Sequence, residues 1–197
     1  MPLYLRSARP LKDECATLAL ESAIRAQKRA AKDQRQRDRE TEREAIEGTL
    51  QAIETEVDVF KLKYVDALKV LFKEPNPQAP PADPIAIPRS SQSLFGVFDS
   101  NAAMLGRITD AALRRKIVGV YVGLKLMVDN VNHYTERHQF WLNVSHQPNR
   151  IGGINQAKAE VESWASNIRM HIPLVEIQIK DLLSDIRSYL SKNRDVR

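Results

Sequence analysis

What this sequence lacks sets its first limits. Cys15 is the only cysteine, so an internal disulfide and a cysteine-based zinc site are both excluded. One thiol, together with an N-terminus (MPLYLRSARP) that has no apolar core of signal-peptide length, agrees with a reducing, cytoplasmic setting. Glycine is scarce, seven in 197 residues, and the stretch from Leu11 to Glu74 holds no proline and only Gly48. With no breaker present, nothing local stops a helix there, and 64 helical residues would measure roughly 95 Å. Long apolar runs are missing too. The longest, Ile117 to Val128, is interrupted by Lys125 and falls short of a membrane span. There is no strand-like alternation of useful length and no internal repeat.

What is present favours helix throughout. Apolar residues make up 43% and charged residues 28% of the chain, and Ala, Leu, Arg, Glu and Gln are helix formers. The net charge of +5 weakly favours acidic partners. From Cys15 to Ala31 a modest stripe runs through Ala16, Ala19, Leu20, Ala23, Ala26 and Ala30, with Ile24 beside it. Lys32 to Glu44 then has no apolar residue, and ten of its thirteen residues are charged. A heptad-like seam follows: Ile46, Leu50, Ile53, Val57, Phe60, Tyr64, Leu68, Leu71. This is the mark of a helix packed on other helices.

The prediction is an all-α protein: an antiparallel helical hairpin plus one very long N-terminal helix, forming a three-helix bundle with a protruding arm. Residues 1–44 are the arm and 45–74 the bundle half of the long helix. Residues 75–98 are a Pro-rich crossover linker, with six prolines between Pro75 and Pro88. Residues 99–192 hold a short helix (Asp99 to Gly106) and the hairpin, and 193–197 a frayed tail. The hairpin helices span about Asp110 to Asn143 and Ile154 to Leu190, joined by a turn over Val144 to Gly153. Pro173 predicts a kink or break in the second. The hairpin is long enough to pack only half of the first helix, so Leu11 to Glu44 should overhang by roughly 40 to 50 Å. A solitary polar helix is marginal in water, so the overhang calls for ion pairs, a second copy or another partner.

Motifs of chemistry are few. Arg25, Lys28, Lys32, Arg35, Arg39 and Arg43 recur at helical spacing and form a ladder that could follow phosphates. Interleaved Asp33, Asp38, Glu40, Glu42 and Glu44 favour a solvated face instead, and no aromatic residue is placed among them for base stacking. The segment Ala16 to Ala31 reads as a self-association or partner seam, with Leu20, Ala23, Ile24, Ala26 and Ala30 as contacts. Without Trp or Phe anchors it is a poorer lipid-surface helix. Gly119 and Gly123 form a small-xxx-small pair that predicts close crossing by the first or last helix. His133 and His138 lie five apart, about 140° around a helix, and no H-E-x-x-H is present, so no metal site is assigned. Nucleophile elbow, P-loop and dinucleotide fingerprints are absent. No cofactor and no catalytic residue are assigned.

Phe98-Asp99-Ser100-Asn101, Leu105-Gly106-Arg107-Ile108 and Ile117-Val118-Gly119-Val120-Tyr121 together resemble a signature of uncharacterised bacterial helical proteins. Many of those carry a membrane anchor followed by a long polar helix. The likeness covers about 25 residues and implies a structural corner and a bacterial or phage origin, with no catalytic residues. In physical terms Asn101 would cap the short helix, Gly106 would end it at positive φ, and Ile108 would anchor the turn.

The functional expectation is a non-catalytic interaction or scaffold protein. It would act through its N-terminal helix on a second copy or a larger protein partner. The alternatives are nucleic-acid binding along the basic face, and a membrane-proximal module, touching only the bilayer surface, whose anchor is supplied elsewhere.

Overall fold

The computed structural model describes residues 9–73, 94–146 and 151–194. The protein is all-α, with no strand among the described residues. Helix α1 spans Arg9–Phe60 and passes into a π-helical turn, Lys61–Val65, and then α2, Asp66–Leu71. Two short helices follow, α3 (Gly96–Ser100) and α4 (Ala102–Leu105), and then the long α5 (Ala111–Ser145) and α6 (Ile151–Arg194). The Pro-rich linker falls mostly on residues outside the described ones, as do 195–197 of the expected tail.

The chain divides into two compact units, Met1–Ala45 and Ile46–Arg197. In the first, every residue from Leu20 to Glu42 is exposed, and the helix is supported by its own side chains. Arg25 pairs with Glu21 at 3.1 Å, Gln34 donates to Asp38 at 2.7 Å, and Gln36 donates to Glu40 at 3.0 Å. Each such contact is worth only tenths of a kcal/mol.

The second unit is a three-helix bundle. Its core joins Leu50, Ile53, Val57, Phe60 and Leu68 to Ile117, Leu124 and Val128 of α5 and to Ile168, Ile179 and Ile186 of α6. Polar contacts fix the register. Lys116 pairs with Asp185, Asn130 meets His171 at 2.9 Å, and Arg137 meets Glu160 at 3.3 Å. Partners descend along α6 as they ascend along α5, so the two are antiparallel. Lys69–Glu176 (2.8 Å) and Arg187–Glu54 (2.6 Å) set α6 antiparallel to the α1–α2 rod in the same way. These surface pairs add little stability, and the apolar seam supplies the bulk of it.

The seam departs from its sequence reading in one instructive way. The last buried residue is Phe72, 5% exposed, while Leu71 is only half-buried. From Ile46 to Phe72 the seam advances 26 residues in seven turns, against about 25 for an ideal α-helix. The π turn holds that extra residue, and it buries the adjacent pair Tyr64 and Val65.

Several local expectations are corrected. The short helix is two helices, and the first begins at Gly96, so that Asp99 and Ser100 form its last turn. Asn101 makes no side-chain cap to α4; its amide donates back to the Val97 carbonyl at 2.8 Å. Gly106 sits at φ −60°, ψ −24°, ordinary right-handed backbone, so no positive φ explains it. The last helix comes close at only one glycine of the pair: a Cβ at Gly123 would meet the Gln178 side chain of α6 at 3.0 Å, whereas one at Gly119 would meet nothing within 4 Å. Gly152 and Gly153 belong to the first turn of α6, not to the loop. Pro173 does not break α6. It is exposed, so water can reach the Arg169 carbonyl that loses its intrahelical donor.

Asp110 caps α5, its carboxylate accepting from the Ala112 and Leu113 N–H groups at 2.8 and 3.0 Å. The Leu113 bond, foremost, holds the carboxyl below its ordinary 3.8. A lowered folded-state pKa means that the stabilisation is complete above the unfolded value and is lost as pH falls through the folded one. Asp110→Asn should therefore lower the melting temperature at pH 7 less than Asp110→Ala. In both variants the loss should shrink as thermal melts are run from pH 5 towards pH 2.

Candidate functional site

The residues singled out as partner contacts lie on α1 within the first unit. Leu20 is 63% and Ile24 42% exposed, and Ala23, Ala26 and Ala30 are exposed beside them. Leu18 is 66% exposed but sits two positions from Leu20, about 200° round the helix, off the stripe. Together these residues make an exposed apolar strip on a charged helix.

Of the basic ladder, Lys28, Lys32, Arg35 and Arg39 line one open surface with Ala31 and Gln36. Arg25 is tied to Glu21, and Arg43 is half-buried and engaged. The ladder is thus four free-standing cations long, with carboxylates on the neighbouring faces.

A second feature was not anticipated. In the bundle unit an apolar groove of ≈ 510 Å³ is lined by Ala52, Val59, Phe60, Tyr64, Leu94 and Val97, with Glu56 and Lys63 among its walls. It lies along the π turn. Glu56 is its polar centre, yet its carboxylate is fully occupied. It accepts from the backbone N–H of Val97 at 2.8 Å and of Phe98 at 3.2 Å, and from the Tyr121 hydroxyl at 2.6 Å. A carboxylate from α1 thereby caps α3 at long range, satisfying amides that α3's own residues leave open. Tyr121 is 1% exposed; burial foremost, and then the Glu56 carboxylate, push its hydroxyl far above the ordinary tyrosine value. Its ring stacks on Phe98 at 4.0 Å and meets Phe95 edge-on at 5.5 Å, while Lys125 lies 5.4 Å above Phe98 and pairs with Asp99 at 2.9 Å. The cluster is a structural clasp that ties α3 to α1 and α5.

The histidines are scattered. His133 stacks on Trp164 at 4.8 Å, His138 is buried between Tyr134 and Trp141, His171 meets Asn130, and the His146 ring lies 2.6 Å from the Leu142 carbonyl. Among the described residues no three His, Cys, Asp or Glu gather as a metal site, and no helix is long and apolar enough to cross a membrane. No protein-family profile, curated protein or solved structure matches the chain.

Proposed function

We infer that this is a non-catalytic interaction or scaffold protein, bacterial and cytoplasmic, which grips a second copy or a larger protein through the exposed strip of α1. The observation that carries this reading is the exposure of Leu20 and Ile24, one turn apart on an unbroken helix rich in charge. Burying two such side chains contributes about 1.5–3 kcal/mol each, so Leu20→Glu/Ile24→Glu should weaken association by at least about 100-fold. A photo-crosslinking residue at Ala23, in living cells of the native host, should give a discrete protein adduct that this double variant abolishes. If no adduct forms at Ala23, the reading fails.

The four exposed cations Lys28, Lys32, Arg35 and Arg39 favour nucleic acid as the second reading. It requires retention on DNA or RNA that falls steeply with salt and is lost in Arg35→Glu/Arg39→Glu.

A further inference from the structure

The outer face of α5 carries a stripe that neither the bundle core nor the α1 strip accounts for. Val118, Val122 and Leu126 are 46, 61 and 50% exposed, one helical turn apart, and Arg115 and Asp129 are exposed at the two ends. Single exposed aliphatics are ordinary, but three in register along the face opposite a packed core are a second seam. The order is Arg115, Val118, Val122, Leu126, Asp129, with spacings 3, 4, 4 and 3. That pattern reads the same from either end about Val122, except that the terminal charges are opposite.

Such symmetry has a direct physical meaning. If a second α5 is laid antiparallel over the first with Val122 on the two-fold axis, Val118 of each copy meets Leu126 of the other. Arg115 then meets Asp129 twice over. A two-fold interface must be self-complementary in this way, whereas a seam for an unrelated partner has no reason to be. Gly119 adds an independent observation. It lies beside the stripe, and a Cβ there would meet nothing within 4 Å. No contact among the described residues demands glycine there, although glycine weakens a helix relative to alanine. A helix packing on this face would use the missing side chain for close approach. On the neighbouring helix, Met170, Leu174 and Ile177 are also exposed, at 58, 56 and 58%.

We propose that the outer face of α5 is the seam of an antiparallel homodimer, centred on Val122 and oriented by reciprocal Arg115–Asp129 pairs. This seam is separate from the α1 strip. The charge exchange tests it in the full-length chain by sedimentation velocity. Arg115→Asp sets carboxylate against carboxylate at both ends and should weaken dimerisation at least tenfold, as should Asp129→Arg. The double exchange Arg115→Asp/Asp129→Arg should restore it. Mixing the two single variants should give a heterodimer, because each then supplies what the other lacks. In a Cys15→Ser background, Val122→Cys should cross-link to itself on oxidation, while Val118→Cys should cross-link efficiently only when mixed with Leu126→Cys. Helical circular dichroism and melting of each variant report that the exposed substitutions leave the fold intact. A wild-type chain that stays monomeric at high micromolar concentration overturns the proposal. So does a dimer that ignores both charge exchange and Val122→Cys, and if that dimer responds to Leu20→Glu/Ile24→Glu, only the α1 reading survives.

Discussion

Glu56→Ala should be among the most damaging single substitutions in the bundle unit, costing about 2–4 kcal/mol. The change removes the acceptor for three donors at once, the Val97 and Phe98 amides and the Tyr121 hydroxyl. The hydroxyl belongs to a side chain only 1% exposed, so water cannot easily take the carboxylate's place, and an unpaired buried donor costs about 1–3 kcal/mol. The two amides are nearer the surface and lose less. Against a typical total stability of about 5–15 kcal/mol, that is between about an eighth and four-fifths of the margin. Thermal melting should fall by roughly 5–15 °C. Glu56→Gln keeps one carbonyl acceptor and should cost less.

Tyr121→Phe tests the same clasp from the other side. Its ring contacts with Phe98 and Phe95 persist, and the Glu56 carboxylate keeps its two amide donors, so the loss should be about 1 kcal/mol. In the double variant the costs should fall short of adding, by about 1 kcal/mol, because the unpaired hydroxyl that dominates the Glu56→Ala penalty is gone. Chemical denaturation of the four proteins gives the cycle directly. A Glu56→Ala protein within 0.5 kcal/mol of wild type, by roughly the precision of such measurements, would mean that the long-range cap stabilises nothing.

The clasp was hidden in the sequence for a simple reason. Glu56 and its amide partners are separated by 41 and 42 positions and by a proline-rich stretch, and no periodicity links a carboxylate on one helix to the start of another. Local caps are different: Asp110 stands two and three residues before the amides it serves and could be named from spacing alone. The all-α class, the bundle half of the first rod and the inner faces of α5 and α6 were legible because apolar side chains recur once per turn. Val120, Tyr121, Leu124, Val128 and Val131 are all buried as that rule requires. The outer stripe of α5 was overlooked because Val118 and Val122 sit among the core residues of one continuous apolar run, where only the structure separates the two faces. Gly106 does end α4, but in right-handed backbone, and Asn101 precedes α4 without capping it because its amide is turned back to the Val97 carbonyl.

The π turn was missed by the same kind of small error, and it carries the second large effect. Ending the seam on Leu71 made the spacing look heptad-like, whereas ending it on Phe72 gives three successive steps of four, from Phe60 through Tyr64 and Leu68. An α-helix cannot hold that spacing on one face without drifting, and one surplus residue in a π turn absorbs the drift. Deleting Leu62, 69% exposed and inside the π turn, should therefore convert the turn to regular α-helix. Both flanks should stay in register, and cooperative melting should survive with a loss of no more than about 1 kcal/mol, the scale of an exposed substitution. Deleting Ile177, 58% exposed on α6, removes a residue of similar exposure from a helix with no surplus. Everything beyond it turns by about 100°, taking Ile179, Leu182, Ile186 and Leu190, all buried, off the core. At about 1.5–3 kcal/mol each the loss reaches the whole stability of an ordinary domain, so this variant should show no cooperative transition and should bind hydrophobic dye. Equal collapse of the two deletions would show that the extra residue is not stored at Lys61–Val65, and the geometric account of the seam would have to be abandoned.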